Sequence, residues 1–216
     1  FDYKDYSCLN FLDSINNYYI FFDNEKKILK RSINICPLIL NKKKFSGPKW
    51  FLLPKNIKRS KKLLGKNLLI AQGLTDAHNN LTKIVTSLKN FFIEKKIKVF
   101  IRSNLKIKDE YFKSIPFKKN FHEYVFQNIN FAITSVGNLS YELNYMNIPC
   151  LYISSEKSEI KRALKLKKLN LGNFFHIHEK RKIIDELNNL LVNIDYRKKI
   201  NINQKKIFKT NNKSIY

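Results

Sequence analysis

The stretch FAITSVGNLSYELNYMNIPCLYI (residues 131–153) predicts a strand, a turn of small residues, a short helix and a second strand in quick succession. The apolar runs FAIT and CLYI are the two strands. Pro149 disfavours helical geometry at Ile148, so the helix has to end before it. A strand, a helix and a strand joined by such short turns are typical of a parallel sheet. The stretch therefore predicts an α/β fold.

The turn before the short helix has the chemistry of an anion site. Its residues 135–138 are small or polar, and backbone amides at a helix start, with the positive end of the helix dipole, suit a phosphate. We place Glu142 in the first turn of this helix. A capping box with the residue three positions earlier cannot form, because that residue is Leu139. Glu142 is then either a surface residue favoured by the dipole or an acceptor for the paired hydroxyls of a ribose.

The alternation of short apolar runs and longer helical ones continues on both sides of this stretch. The predicted strands are NLLIA (67–71), IKVFI (97–101), FAIT (131–134), CLYI (150–153) and NFFHI (173–177). The predicted helices are residues 79–92, 121–127, 140–146, 158–169 and 179–191. In the first helix the apolar residues recur at helical spacing, which fits packing on one face of a sheet. The sequence therefore predicts a doubly wound, Rossmann-like parallel sheet.

A second candidate loop, AQGLTDAHNN (71–80), directly follows the first of these strands. Ligands of open parallel sheets bind at the carboxyl ends of the strands, where this loop lies. Gly73 allows close approach of a ligand or a positive φ, and Thr75 and Asp76 are good helix caps. His78 either reaches a phosphate or is a solvated residue at the helix start. An ordinary strand-to-helix turn explains this loop as well as a binding site does.

The ends of the chain differ from its middle. YYIFFD (18–23) and INICPLIL (33–40) predict two strands, and Ser46-Gly47-Pro48 then predicts a domain boundary. Two strands alone cannot bury a core, so residues 1–46 are interpreted as the end of another domain. The Lys- and Asn-rich tail from Asp195 predicts a weak helix followed by a frayed end.

A formal charge of +25 raises the hypothesis of a basic α/β module that binds RNA or an anionic surface without catalysis. The lysines, however, are scattered over every segment among many Asn, Ile, Phe and Tyr residues, a set favoured by A/T-rich codons. We therefore expect no nucleic-acid partner. The local run KNIKRSKKLLGK (55–66) is either a solvated connector or an attraction to an anionic substrate or membrane surface.

Cysteine and histidine spacing predicts no metal site and no cofactor. Cys8, Cys36 and Cys150 form no C-x-x-C motif, and no secretory leader is visible, which favours reduced thiols and a cytoplasmic location. His176 and His178 could place two imidazoles on one strand face, but a third ligand is missing nearby. No run of apolar residues is long enough for a membrane-spanning helix.

Together these motifs resemble the carboxyl-terminal domain of GT-B glycosyltransferases of the family 28 kind. The loop Gly73-Leu74-Thr75-Asp76 resembles the Gly-Gly-Ser-Asp loop after the first strand of that domain. Val136, Gly137, Leu139 and Glu142 fall on the positions of a Gly-Gly loop, a Thr and, three residues later, a Glu. The order and spacing of the motifs carry the resemblance.

The most specific resemblance is to the nucleotide-sugar hydrolase of pseudaminic acid synthesis and its spore-coat polysaccharide relatives. GPKWFLLP (47–54) resembles the start of their second domain, and FFDN (21–24) resembles a strand end near the close of their first. The resemblance covers nearly the whole chain. It implies a GT-B fold, with residues 1–46 as the end of a truncated N-terminal α/β domain and residues 47–216 as the C-terminal nucleotide-sugar-binding domain.

The resemblance also implies a site for a nucleotide sugar of the UDP type. Loops 73–76 and 137–139, the latter including Asn138, would contact the diphosphate, and Glu142 would contact the ribose. Glu159 would line the site where the family usually has Gln, and would bring negative charge toward an anionic ligand. Leu74 and Val136 each replace a Gly, which hinders the approach of a phosphate to the backbone.

The implied activity is displacement at the anomeric carbon of the sugar, in cell-surface glycan biosynthesis. The favoured interpretation is a hydrolase, in which water is the nucleophile. The alternative is a family 28-like glycosyltransferase, in which an acceptor hydroxyl is the nucleophile. The resemblance places the catalytic base, a His, before Phe1, so no catalytic residue is named. Asp23 is at most a residue that supports a catalytic side chain without contacting the substrate.

Overall fold

The computed structural model describes residues 19–22, 32–38, 46–54, 57–62, 64–73, 76, 78–103, 109–116 and 120–208. The chain divides into two compact units, one of Leu53–Lys209 and one that holds the remaining residues. The domain boundary at Ser46-Gly47-Pro48, with domains of residues 1–46 and 47–216, stays a prediction.

The smaller unit contains the first two predicted strands. β1 (Tyr19–Phe22) pairs with β2 (Ser32–Ile35) in parallel, and Tyr19 is opposite Ser32. A single bridge between Cys36 and Ser46 continues this arrangement, and a 3-10 helix follows at Pro48–Trp50. Cys36 is buried, whereas Asp23 and Cys8 lie outside the described residues.

The larger unit is a six-stranded parallel sheet with helices between most of its strands, which confirms the predicted α/β class. Its strands are β3 (Asn67–Ala71), β4 (Lys98–Arg102), β5 (Phe112–Ile115), β6 (Phe131–Thr134), β7 (Cys150–Ile153) and β8 (Phe174–Phe175). Its helices are α1 (Asn80–Glu94), α2 (Phe121–Asn128), α3 (Asn138–Tyr145), α4 (Lys157–Lys168), α5 (Lys180–Val192) and α6 (Ile194–Ile207). Among the described residues, no helix is long and apolar enough to cross a bilayer.

The strand order β5-β4-β3-β6-β7-β8 reverses direction between β3 and β6. From β3 the chain adds strands on one side as far as β5, and it then returns to place β6, β7 and β8 on the other side. Such a reversal opens a crevice at the carboxyl ends of the two central strands, because the loops there lead to helices on opposite faces. This edge of the sheet is called the carboxyl edge below.

Burial of the strands in the core explains why their sequences are continuous apolar runs. Every residue of β6 and β7 is buried, as expected for a parallel sheet that is covered on both faces. The apolar stripe of α1, with Ile84, Leu88 and Phe92, packs into one cluster with strand residues and with Ile183 and Leu187 of α5. The helical spacing in the sequence therefore identified the buried face of α1 correctly.

Several elements differ from the expectation. Strand β8 spans only Phe174–Phe175, two residues of the predicted 173–177. Strand β5 was not predicted, because FKSI is short and its central Lys113 is exposed at the edge of the sheet. Helix α6 was predicted as a weak helix from Asp195 followed by a frayed end, yet the helix runs for 14 residues. Its buried positions include polar side chains that a hydropathy pattern scores as exposed.

Helix α6 is anchored by hydrogen bonds from these buried polar side chains. Arg197 donates to the carbonyl oxygens of Leu190 and Gly65, and its guanidinium carbon lies 5.2 Å from the centre of the Phe131 ring. Burial lowers the pKa of Arg197 to about 10. Gln204 donates from Nε2 to the carbonyl oxygen of Ile148 at 2.9 Å. The helix therefore belongs to the packed domain.

Candidate functional site

The two loops singled out in the sequence start side by side. Ala71 ends β3 and pairs in register with Thr134, which ends β6. Residues 72–79, the β3 loop, and residues 135–137, the β6 loop, therefore leave the carboxyl edge at adjacent positions. Each loop leads into a helix, α1 and α3 respectively. The structure thus brings Gly73 and Gly137 to the same edge of the sheet.

Neither of these two glycines is required by the fold. Gly73 does not have a positive φ, which leaves close approach of a ligand as the other alternative, and a Cβ there would meet no atom of the described residues within 4 Å. At Gly137, with φ of −120°, a Cβ would lie 3.9 Å from the nearest atom, Glu159 Oε1. By contrast, a Cβ on Gly65 or Gly172 would collide with its neighbours, and both residues have a positive φ. The glycines of the carboxyl edge therefore leave open space beside the backbone.

Asp76 caps the start of α1. Its Oδ1 accepts from the Asn80 amide and its Oδ2 from the Leu81 amide, both at 2.9 Å. Its predicted role as a helix cap is confirmed, and these two amides are consequently not free for a phosphate. A contact between Asp76 and a ligand stays a prediction. Thr75 and Leu74 lie outside the described residues.

The amino end of α3 is open to solvent. Gly137 is its N-cap, and among the described residues no side chain caps the helix there. Asn138 is exposed and Leu139 is half-buried. Val136 is fully buried. The hindrance of phosphate approach expected at Val136 stays a prediction.

Glu142 lies in the second turn of α3, not in the first, because the helix already begins at Asn138. Its Oε2 lies 2.8 Å from Nε2 of His122 on α2. It also interacts electrostatically with Arg102, the last residue of β4: burial lowers the pKa of Arg102, and the Glu142 charge opposes that shift. The Glu142 carboxylate therefore interacts with groups from two other elements, α2 and β4.

Glu159, at the start of α4, lies close to the β6 loop. Ser154 Oγ donates to its Oε2, and its Oε1 is the atom nearest to the Cβ position of Gly137. Nearby, His78 Nε2 lies 2.7 Å from Glu156 Oε1, which links the β3 loop to the end of β7. The structure thus brings the negative charge of Glu159 to the open end of α3.

Sequence reasoning missed three residues of this edge. Gln72 follows β3 directly and is 7% exposed, and its Nε2 has no hydrogen-bond partner among the residues that the structure describes. Arg102 and His122 surround Glu142, as described above. Gln72 could have been identified from the sequence, because it is a polar residue at the carboxyl end of a buried strand. The contact of His122 with Glu142 spans 20 positions and depends on the tertiary structure.

Other clefts and clusters lie elsewhere. A cleft of about 420 Å³ lined by Asn173, Tyr196 and Lys199 lies where β8 begins, at the opposite end of the strands from the carboxyl edge. The His176 and His178 rings stack with their centroids 5.4 Å apart. In the described part of the chain, no group of three or more His, Cys, Asp or Glu side chains is arranged to hold a metal.

Comparisons with known proteins agree with the fold. No protein-family model matches the chain, and neither does any curated protein. The spinosyn forosaminyltransferase SpnP is 14% identical over 87% of this chain and 50% of its own, with a TM-score of 0.54. The spinosyn rhamnosyltransferase SpnG, solved with thymidine diphosphate, is 11% identical over 84% of this chain and 54% of its own, with a TM-score of 0.56.

CalG4, the calicheamicin glycosyltransferase, is 13% identical over 82% of this chain and 49% of its own, with a TM-score of 0.55. The chain thus spans about half the length of these solved structures. At such low identity the likeness establishes the fold, which is that of GT-B glycosyltransferase domains. The predicted GT-B fold is confirmed.

Proposed function

We propose that the larger unit binds the nucleoside diphosphate of a nucleotide-activated sugar, in an enzyme that transfers or releases the sugar. The observation that carries this proposal is the pair of glycines, Gly73 and Gly137, that the fold itself does not need. Both lie where adjacent central strands end, at the reversal of strand order. Ligands of open α/β sheets bind in that crevice.

The diphosphate lies against the β6 loop and the amino end of α3. The uncapped amides and the positive end of the helix dipole stabilise its charge, and Gly137 leaves the backbone open to close approach. The buried Gln72 Nε2, one strand away, is a further donor in need of an acceptor. Asn138, Leu139 and the β3 loop with Thr75 complete the diphosphate contacts. Asp76 contributes by fixing the start of α1.

Glu142 binds the ribose. It lies one helical turn inside α3, and its side chain is 16% exposed. An ionised carboxylate accepts hydrogen bonds from paired hydroxyls, and this position suits the sugar attached to a diphosphate at the helix start. Glu159 lies at the same end of α3 and opposes the ligand charge, so it weakens the binding of the diphosphate.

The chemistry is displacement at the anomeric carbon, with the nucleoside diphosphate as leaving group. Amides aimed at the diphosphate stabilise the charge that develops on it. The leaving group is the same whether the nucleophile is water or an acceptor hydroxyl, so the same diphosphate site serves both reactions. SpnP, SpnG and CalG4 are named as glycosyltransferases, which is consistent with transfer, the alternative to the hydrolysis that the resemblance to the hydrolase of pseudaminic acid synthesis favoured. Residues 47–216 are the nucleotide-sugar-binding domain of a cytoplasmic enzyme in this proposal. The basic run of residues 55–66 is either a solvated connector or is attracted to an anionic substrate or membrane surface.

Thermal unfolding of the 216-residue chain tests the proposal. UDP or dTDP at a hundred times its Kd raises the Tm by roughly 5–10 °C. Glu142→Ala removes most of the shift. No shift with UDP, dTDP, ADP, GDP or CDP contradicts the proposal. An RNA-binding module would instead bind RNA with an affinity that falls steeply with added salt and is insensitive to Glu142→Ala.

A further inference from the structure

Glu142 and His122 join two helices that both begin at the carboxyl edge. His122 is the second residue of α2, and its Nε2 atom lies 2.8 Å from Oε2 of Glu142 on α3. The side chains are only 28% and 16% exposed, respectively. Since an ionised carboxylate only accepts hydrogen bonds, Nε2 carries the proton and donates it. Among the described residues no donor contacts Oε1 of Glu142, which leaves this atom for another donor.

The His122 imidazole is itself held in place by its neighbours. Its ring meets the Phe121 ring edge to face, with centroids 5.6 Å apart. The Arg102 guanidinium lies 4.5 Å above the same Phe121 ring, at the end of β4. The Glu142 carboxylate therefore interacts with a cation from β4 and accepts a hydrogen bond from α2. The hydrogen bond with His122 restricts its orientation.

We propose that His122 is a positioning residue of the nucleotide site, which fixes Glu142 so that Oε1 accepts from a ribose hydroxyl. This inference rests on the proposed function. A glutamate side chain on a helix surface samples several rotamers, and a ligand that orders it bears the entropic cost. Because the His122 contact already orders the Glu142 side chain in the folded domain, this entropic cost arises during folding and not when the ligand binds. Nucleotide affinity therefore depends on a residue that need not touch the ligand.

Calorimetric titration of the 216-residue chain separates this role from a purely structural one. The ligands are UDP, dTDP and inorganic pyrophosphate, which lacks the ribose. His122→Phe keeps a ring against Phe121 and removes the donor, whereas His122→Gln keeps an amide donor at similar reach. Should His122→Phe fail to fold, His122→Ala serves in its place. Urea unfolding of each variant verifies that the domain is folded.

We expect His122→Phe to weaken the nucleotide by about tenfold and to leave pyrophosphate binding within about twofold. His122→Gln restores most of the lost affinity. In a Glu142→Ala background, His122→Phe has no further effect, because the group that it positions is gone. All three results together support the inference.

Other outcomes overturn it. If the wild-type chain binds no nucleoside diphosphate, the proposed function fails and this inference fails with it. If the wild type binds UDP or dTDP and His122→Phe binds equally well, only the positioning role is wrong. Equal losses for nucleotide and pyrophosphate, or an undiminished loss in the Glu142→Ala background, also contradict positioning through Glu142.

Discussion

Ala71 and Thr134 are paired in register as the last residues of β3 and β6, the two central strands of the sheet. Because the strands are parallel, both chains leave the sheet in the same direction, and the loops that follow are neighbours at one edge. Gly73 and Gly137 lie two and three residues beyond this pair. The geometry of the candidate site follows from this pairing.

Substitution of Gly137 separates binding from folding. Gly137→Ala puts a methyl group into open space, so we expect its free energy of unfolding to be unchanged or slightly raised. The methyl group keeps the diphosphate from the backbone, and UDP or dTDP affinity falls by about tenfold or more. Urea unfolding and calorimetric titration measure the two effects.

Gly172→Ala is the matched control. Its Cβ would collide with the Cys150 carbonyl oxygen, and its φ of 146° is unfavourable for alanine. This variant loses stability by about 2 kcal/mol or more. The account is contradicted if Gly137→Ala destabilises the domain as much, or if it binds nucleotide as the wild type does.

Removal of the Glu159 charge is expected to improve binding. The carboxylate lies next to the β6 loop, and its charge would repel a diphosphate bound there as proposed. Glu159→Gln raises UDP or dTDP affinity by about fivefold, which corresponds to roughly 1 kcal/mol. Glu94→Gln, at the exposed carboxyl end of α1, removes an equal charge and leaves the affinity unchanged within about twofold. Equal affinities of Glu159→Gln and wild type would show that the diphosphate does not approach this loop.

Glu179 makes stability depend on pH. Its carboxylate accepts from Lys182 Nζ at 2.6 Å and from the His176 amide at 2.8 Å, and these bonds lower its pKa from 4.5 to about 2. Between these values the unfolded chain binds more protons than the folded one, so this contribution falls as pH falls. At pH 6 we expect the unfolding free energy of the wild type to exceed that of Glu179→Gln by less than about 1 kcal/mol, because the Glu179 carboxylate is near the surface.

Urea unfolding at pH 6, 4 and 3 follows this difference. It begins to shrink below pH 4.5 and approaches its minimum near pH 2. A difference that is constant from pH 6 to pH 3 would mean that the Glu179 carboxylate is not stabilised in the folded domain.

Arg197 is expected to be one of the most sensitive positions for stability. Its side chain is 1% exposed, and Arg197→Ala leaves the carbonyl oxygens of Leu190 and Gly65 without their donors. We expect a loss of about 3 kcal/mol in unfolding free energy. Lys198→Ala, next to it on the exposed face, changes stability by less than about 0.5 kcal/mol. Similar losses in both variants would contradict an anchoring role for Arg197.

The fold was largely readable from the sequence because its central strands are buried on both faces. Residues 67–71, 131–134 and 150–153 were predicted with the bounds that the structure shows. Strand β5 lies at the sheet edge and buries few side chains, so its sequence is mixed. Helix α6 packs through Arg197 and Gln204, whose contacts are hydrogen bonds between residues far apart in the chain.

The candidate site was readable only in part, for a related reason. Gly73 and Gly137 were identified by their position after apolar strands, and parallel pairing then places them together. The surroundings of Glu142 were not predicted, because His122 and Arg102 belong to other elements and interact with it only in the folded domain. The helix start was set two residues too late, at Ser140 instead of Asn138, and Glu142 was consequently assigned to the wrong turn.

Hydrogen exchange with and without nucleotide, read by mass spectrometry, tests the central claim most directly. With saturating UDP or dTDP, we expect amides of residues 72–79 and 135–142 to exchange at least about tenfold more slowly. Amides around Asn173 and Lys199, at the opposite end of the strands, keep their rates. Unchanged rates in both loops at saturation, or protection confined to the opposite end, would contradict a diphosphate site at the carboxyl edge.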